Sequence, residues 1–340
     1  MHHPMKERGS VDRRRFVGGP LLLLAGSMLA SPPSLAADAA PTSSVPLDRS
    51  CDRACLYGVL DGYLNALRSK DPWRVKWTRD AVTTENNVVM PIGEGHWATA
   101  DKLEAYDLRA ADPSTGQVVM FGALDEGGTV SPYTVRLEVR DGGIRRAETL
   151  IKRKASDPRF MAEAKFEKKP AFDEVIPPQQ RLPRARLVSI ADGYFDTLQL
   201  NDGTLFTRFH KNCNRVENGV QTTHNPNFAV VPVSRLGCEE QFKAGNYRYD
   251  TRLRARRFPL VDEERGIVLA SGFIDHAGTL NEYQLADGTT VKAPLHRPHS
   301  FYLFEAFKLK DNSIEQIEAN FITVPYYMPS PWDDWAENTR

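Results

Sequence analysis

The order of apolar and polar positions in this chain occurs twice. Apolar residues recur at helical spacing through residues 56–67, and the same arrangement returns through residues 187–198, 131 positions later. Such spacing predicts an amphipathic helix that buries one face. In each copy a polar break, a second short helix and a strand with a Glu-Asn pair follow, at Glu85 and at Glu217. The repeated order indicates two copies of one domain.

Later segments of the two copies also correspond, at shifts that only increase. The shift is 132 at the Glu-Asn pair, 150 between Asp125 and Asp275, and 170 between residues 137–151 and 307–321. Insertions in loops produce such growth, whereas a chance similarity of two unrelated α+β domains has no reason to. A long segment between Asp275 and Phe301 has no counterpart in the first copy and is interpreted as an insertion.

The remaining elements follow from the same patterns and from turn residues. A second short helix would begin at Asp71 in the first copy and would carry Phe206 and Phe209 in the second. We predict a third short helix at residues 99–108, and strands at residues 82–90, 117–125, 133–139, 144–151, 215–222, 248–258, 267–275, 300–309 and 314–324. The chain then divides into a signal (1–39), a linker (40–50), a first domain (51–153), a connector (154–183), a second domain (184–325) and a tail (326–340). Residues 325–332 are aromatic and proline-rich, which favours a strap over a helix.

The first 39 residues are typical of a cleaved export signal. Arg13, Arg14 and Arg15 precede Phe16, and an apolar run and small residues follow. This order resembles a twin-arginine signal, which directs folded proteins across a membrane. The apolar run is short and interrupted by glycine and proline, which disfavours the alternative of an uncleaved anchor. We therefore expect a periplasmic or secreted protein with no membrane association after cleavage.

Composition and charge exclude several classes of protein. The chain has 44 Lys and Arg residues against 44 Asp and Glu residues, so no basic field for nucleic acid exists. Four cysteines in an exported chain favour disulfides, and the pairs Cys51–Cys55 and Cys213–Cys238 are preferred among the three pairings that four cysteines allow. A zinc site of four thiolates would need two closely spaced pairs, and one pair alone is close.

The order helix, short helix, strand, third helix and antiparallel strands resembles the NTF2-like fold, also called SnoaL-like. The segments NRVENGVQTT and RRFPLVDEERGIVLA also resemble a group of secreted tandem proteins found in fungi and bacteria. The resemblance implies an α+β protein of two tandem cone domains, with helices packed on a curved antiparallel sheet. The fold hosts isomerases, dehydratases, cyclases, lyases and binding modules, so it does not by itself determine a function.

The second copy also resembles the ketosteroid isomerase group in the spacing of its polar residues. In that group an aspartate base works opposite a tyrosine and a protonated acid that stabilise an enolate. The resemblance implies that Tyr194, eight residues before Asp202, is the tyrosine, and that Glu217, five residues after Asn212, is the base. It implies that Glu305 is the protonated acid. Glutamate replaces aspartate at both acid positions, which lengthens each side chain by one methylene.

The first copy supplies less of this pattern. It has Tyr63 and Glu85 at the corresponding places, but Val135 where the second copy has Glu305. The alternative interpretation is structural: the tyrosines would be core residues, and the glutamates would form duplicated bonds with Asn86 and Asn218.

Histidines concentrate in the second copy. His276 follows Asp275 at the end of a predicted strand, and His296 and His299 lie in or beside the insertion. A neutral histidine at a cavity mouth is a good general acid or base near pH 7. The pair His296 and His299 with Asp275 is a weak metal signal, so we predict no metal.

The chain has no glycine-rich nucleotide motif and no nucleophile-elbow motif, so we expect no cofactor. We predict an exported, cofactor-independent lyase or isomerase that abstracts a proton from a small apolar or aromatic compound in the second-domain cavity. Glu217 would be the base, and Tyr194 and Glu305, with His276 or His299, would stabilise the oxyanion. The alternative is a non-catalytic ligand-binding or assembly protein. The expected partner is a small-molecule substrate. In addition, the two domains would pair within the chain, or the chain would form a homodimer.

Overall fold

The computed structural model describes residues 51–153, 164–228 and 233–332. The predicted twin-arginine signal and linker, part of the connector and the last eight residues lie outside this range. Within the described residues, no helix is long and apolar enough to cross a membrane.

The first domain is a curved sheet with one long helix packed against it. Its elements are α1 Arg53–Arg68, a 3-10 turn Pro72–Arg74, β1 Trp77–Glu85, β2 Val88–Met90, α2 His96–Thr99, β3 Ala100–Asp112, β4 Gln117–Glu126, β5 Thr129–Arg140 and β6 Gly143–Ile151. The sheet order is β2-β1-β6-β5-β4-β3, in which β1 and β6 are parallel and the other neighbours antiparallel. Asp52 begins α1 because its side chain accepts a hydrogen bond from the Cys55 amide.

The second domain repeats this plan. Its elements are α3 Arg184–Leu200, β7 Phe209–Glu217, β8 Val220–Gln221, α4 Cys238–Lys243, β9 Arg252–Asp262, β10 Ile267–His276, β11 Glu282–Gln284, β12 Thr290–Lys292, β13 His299–Lys310 and β14 Ser313–Val324. The sheet order β8-β7-β14-β13-β10-β9 matches the first sheet strand for strand. The duplicated α+β fold predicted from the sequence is therefore confirmed. The insertion adds the β11–β12 hairpin, which forms a separate two-stranded sheet.

Three local predictions were wrong. Residues 99–108 form most of β3 because they pair along β4, and tertiary pairing overrides an ambiguous local pattern. The predicted second helices are a single 3-10 turn in the first domain and an irregular segment in the second, where Phe209 begins β7. The strands predicted at 82–90 and 215–222 are both hairpins, since positive φ at Asn86 and Asn87, and at Asn218 and Gly219, turns the chain.

Three apolar cores hold the structure together. One lies between α1 and the concave face of the first sheet, and one between α3 and the concave face of the second. The third draws on both sheets and includes Phe121 and Leu150 from the first domain and Tyr302 and Phe304 from the second. The convex faces of the two sheets therefore pack against each other.

The covalent and terminal links follow the sequence pattern. Disulfides join Cys51 to Cys55 and Cys213 to Cys238, as predicted. The segment after β14 is not helical and crosses to the first domain, where the Asn87 amide donates to the Pro329 carbonyl at 2.8 Å. Trp332 is 2% exposed there.

Candidate functional site

The polar residues predicted for the second domain lie around one buried arginine, Arg215 on β7. Its guanidinium donates to Gln241 Oε1 at 2.7 Å and to the Tyr247 hydroxyl, and lies 3.4 Å from the Tyr194 hydroxyl. Glu217 Oε1 is 3.5 Å from Arg215 Nε. The sequence analysis did not single out Arg215, because nothing in the local pattern shows that this strand residue is buried.

Glu305 completes this Arg215 cluster from β13. It is buried, and burial raises its pKa to about 8, with Glu217 acting in the same direction and Arg215 and Tyr194 opposing it. Burial, reinforced by Glu305, likewise raises the pKa of Tyr194 well above its usual value. Glu305 is therefore protonated near pH 7, and Tyr194 keeps its hydroxyl proton. The protonated acid that the resemblance implied can exist at this position.

The space around the Arg215 cluster is filled by aromatic side chains. Phe307 packs edge-on against Tyr194 at a ring distance of 4.9 Å, and Phe242 does so at 5.3 Å. Phe209 stacks on Phe242 at 5.4 Å. All of these side chains are buried, so a ligand could reach Glu305 only by displacing aromatic packing.

The first domain holds its corresponding tyrosine and glutamate in a different way. The Tyr63 hydroxyl lies 3.3 Å from His96 Nε2, and His96 Nδ1 lies 3.0 Å from Glu85 Oε2. Arg153 donates to the other oxygen of Glu85 at 2.8 Å. Burial alone would raise the pKa of Glu85, but the hydrogen bonds from His96 and Arg153 lower it to about 2. The sequence analysis did not connect His96 with Tyr63.

The two asparagines after the glutamates have one structural role. Asn86 Oδ1 accepts from the Ile151 amide at 2.8 Å, and Asn218 Oδ1 accepts from the Phe321 amide at 3.0 Å. Each asparagine therefore ties the end of the first strand to the last strand of its sheet. This part of the repeat is structural.

A cavity of about 270 Å³ lies in the second domain, between the residues before β9 and the insertion. An engineered cavity of about 150 Å³ can hold benzene, so this one has room for a substituted ring. Its lining combines two charged residues with hydroxyl and apolar groups: Arg248, Tyr249, Asp250, Thr251, Gly278, Thr279, Leu280 and Leu295. The insertion that supplies half of this lining has no counterpart in the first domain.

Asp250 connects this cavity to the two predicted histidines. His276 Nε2 lies 2.9 Å from Asp250 Oδ1, although its N–H is not aligned as a full hydrogen bond. His276 is 1% exposed, and its Nδ1 has no hydrogen-bond partner among the described residues. The His276 ring stacks on His299 at 4.6 Å and on Tyr249 at 6.2 Å. Asp250, His276 and His299 are here called the histidine cluster. Asp250 lines the cavity, and the two histidines lie behind it.

His299 is set up as a neutral histidine. Its Nδ1 lies 2.7 Å from the Arg297 carbonyl, so that nitrogen carries the proton and Nε2 keeps its lone pair. Burial lowers the pKa of His299 below 6.5, and the Arg297 carbonyl opposes this shift. Near pH 7 the ring can accept a proton.

The structure does not bring all five predicted site residues to one point. His299 and Glu305 lie on the same face of β13 but six residues apart, which is roughly 20 Å at about 3.4 Å per residue. Tyr194, Glu217 and Glu305 belong to the Arg215 cluster, whereas His276 and His299 belong to the histidine cluster. Among residues 51–153, 164–228 and 233–332, no three His, Cys, Asp or Glu side chains converge in a way that could hold a metal ion.

Comparison with known protein families gives one match, described as "Domain of unknown function (DUF8021)", over residues 49–151 and 180–321. The chain belongs to this family. The first matched segment contains the first sheet and the second contains nearly all of the second sheet, so the family model covers both copies of the repeated α+β domain. No curated protein matches the chain significantly.

Solved structures resemble single parts of this chain. An NTF2-like protein of unknown function from Cytophaga hutchinsonii is 7% identical, with a TM-score of 0.22 over 28% of this chain and 89% of its own. A similar protein from Burkholderia xenovorans is 9% identical, with a TM-score of 0.25 over 34% and 95%. A designed protein with a curved β-sheet is 17% identical, with a TM-score of 0.26 over 30% and 88%.

Proposed function

We propose that this protein is an exported, cofactor-independent lyase or isomerase that binds a small, largely apolar or aromatic compound in the second-domain cavity. The observation that carries the proposal is the position of the histidine cluster. A carboxylate lines the cavity of about 270 Å³, and the Nε2 atom of a buried histidine lies 2.9 Å from it. The two disulfides fit an extracellular or periplasmic location.

Asp250 is the group with direct access to a ligand, so we assign it the role of general base. It would take a proton from a carbon beside a carbonyl, and the electron pair of the C–H bond would move to the carbonyl oxygen. In a dehydration, collapse of the enolate would form the carbon–carbon double bond and expel the β-hydroxyl group, which would take the proton back from Asp250 and leave as water. Return of the proton to another carbon would complete an isomerisation.

His276 would act as a positioning residue for this carboxylate. Its ring is held by stacking against His299 and Tyr249, and its Nε2 faces Asp250. The proton that Asp250 takes would return to the ligand or pass to solvent at the cavity.

The Arg215 cluster is the second location at which acid–base chemistry could take place. Glu305 would donate a hydrogen bond and Glu217 would be the base, as the resemblance implied. The aromatic packing around Tyr194 would first have to open, so we rank this location behind the cavity.

The experiment measures proton abstraction directly. Purified protein is incubated in deuterium oxide with phenylacetone and 2-tetralone, and exchange of the α-protons is followed by NMR. We expect exchange above the buffer rate for wild type, a loss of about 100-fold or more in Asp250→Asn, and a smaller loss in His276→Asn. Glu305→Gln and Glu217→Gln are matched controls from the Arg215 cluster and should keep wild-type exchange.

Two outcomes would contradict the assignment. If Glu305→Gln loses exchange and Asp250→Asn keeps it, the chemistry belongs to the Arg215 cluster. If the probes bind but none exchanges, the protein is a non-catalytic ligand-binding or assembly protein. In both domains the space between the long helix and the sheet is filled with apolar side chains, and this favours the non-catalytic alternative.

A further inference from the structure

The cavity next to Asp250 has a second charged group that the proposed chemistry does not use. Arg248 lines the same cavity, and its guanidinium has no carboxylate within ion-pair distance among the described residues. Among the groups that shift the pKa of Asp202, Arg248 acts at longer range and has the smallest effect. An arginine without an acidic partner at the rim of a cavity is available to an anion.

The backbone beneath Arg248 is shaped to keep the guanidinium at this rim. A Cβ atom at Gly245 would lie 3.2 Å from Arg248 Nε and 3.4 Å from one terminal nitrogen. Gly245 also has a positive φ of +67°, a conformation in which a larger residue is strained. The glycine therefore lets the arginine head lie against the turn that follows α4.

We propose that the natural ligand of this cavity carries a carboxylate that Arg248 binds, with an apolar group against Leu280 and Leu295. This inference rests on the proposed function, because it names the substrate class of that same site. Asp250 repels a carboxylate and Arg248 attracts one, so the two charges determine which end of the ligand lies where. The anionic end meets Arg248, and the C–H or hydroxyl group meets Asp250. A ring-sized hydroxy acid or keto acid fits both the volume and this charge pattern.

The test compares two probes of nearly equal shape, phenylacetate and its neutral amide, phenylacetamide. Binding to the full chain is measured by calorimetry at pH 7 and low salt. We expect wild type to bind phenylacetate roughly 10- to 100-fold more tightly than phenylacetamide, since a hydrogen bond to a charged group has about this effect. Arg248→Gln should abolish the preference, and Arg248→Lys should keep part of it.

Arg186 supplies a matched control. It is also exposed, also without a carboxylate ion pair, and lines a separate notch of about 140 Å³ beside α3. Arg186→Gln should leave the preference for phenylacetate unchanged. If Arg186→Gln removes the preference as fully as Arg248→Gln does, the effect is general surface charge and the inference is wrong.

The remaining outcomes separate this inference from the proposed function. A tenfold or greater preference for phenylacetate that Arg248→Gln removes, with no deuterium exchange in any probe, supports the carboxylate site and contradicts the enzyme. Exchange of neutral ketones that depends on Asp250, with equal binding of acid and amide, supports the enzyme and contradicts the carboxylate site. No binding of either probe at millimolar concentration overturns the carboxylate site, and the exchange of the neutral ketones then decides the proposed function by itself.

Discussion

The two domains share a plan and differ in the side chain that joins their shared pair of polar positions. Both have a buried tyrosine on the first helix and a glutamate at the end of the first strand. In the first domain His96, supplied by the short helix α2, lies between Tyr63 and Glu85. In the second domain Arg215, supplied by β7 itself, takes that place. The tyrosine and the glutamate are therefore the same in both copies, and the residue between them differs.

A second pair of equivalent residues differs even more in charge. Glu148 and Glu318 correspond at a shift of 170 and are both buried on the convex faces where the domains meet. Burial acts to raise the pKa of Glu148, but Arg257 and Arg136 lower it to about 2. Burial raises the pKa of Glu318 to about 8, because the Tyr106 hydroxyl and Lys169 oppose it less. The same position is thus ionised in one domain and neutral in the other.

Replacement of the side chain between the tyrosine and the glutamate, His96 or Arg215, should have the largest effect on stability. The effect should be larger in the second domain. Arg215→Met would leave Glu217 without its cation and would remove the hydrogen bonds that Arg215 donates to Gln241 and Tyr247. This should lower the free energy of unfolding by roughly 3–5 kcal/mol. His96→Gln should cost about 1–2 kcal/mol, since Arg153 still holds Glu85. Urea unfolding measures both free energies, with Arg186→Gln as a surface control near zero. Equal losses in the two bridging variants would show that the two chains of contacts are equivalent.

The interface glutamates should respond differently to the same substitution. Glu148 accepts from Arg136 at 2.9 Å, from Arg257 at 2.6 Å and from the Tyr302 hydroxyl at 2.6 Å. Glu148→Gln removes the charge that pairs with two arginines and should cost about 3 kcal/mol. Glu318→Gln replaces a protonated acid with a neutral side chain of the same shape and should change stability by less than about 1 kcal/mol. Calorimetric unfolding measures the loss of stability in both variants. A larger loss in Glu318→Gln than in Glu148→Gln would contradict the assigned charges.

The pH dependence of stability should have opposite signs for the two kinds of glutamate. Glu305 and Glu318 have pKa values raised from 4.5 to about 8, so their contribution is present below pH 4.5 and is lost as the pH rises toward 8. Glu85 and Glu148 have pKa values lowered to about 2, so their contribution is lost as the pH falls from 4.5 toward 2. The slope on the alkaline side should be on the order of 1 kcal/mol per pH unit for each group.

Glu305→Gln combined with Glu318→Gln should flatten the alkaline side and leave the acid side unchanged. Unfolding midpoints between pH 3 and pH 9 measure both sides in one series. An alkaline slope that persists in the double variant would mean that other groups cause it.

Local sequence pattern was sufficient for the parts of the fold that depend on neighbouring residues. Helical spacing predicted α1 and α3, and turn residues such as Asp141-Gly142, both at positive φ, predicted the hairpin between β5 and β6. The repeat predicted two copies of one domain, and the cysteine spacing predicted both disulfides. The same approach failed at β3, where an ambiguous pattern is resolved by pairing with β4.

The site required the folded chain, because its members come from distant segments. Asp250 lies before β9 and His276 ends β10, and nothing in the spacing of 26 residues indicates that they meet. The carboxyl state of Glu305 and of Glu318 also depends on which cations approach from other strands or from the other domain. Periodicity determines which side of an element is apolar, since it acts over a few residues. Burial, pairing of charges and the filling of a cone depend on contacts across the whole chain, and those were decided only when the two sheets closed on their helices and on each other.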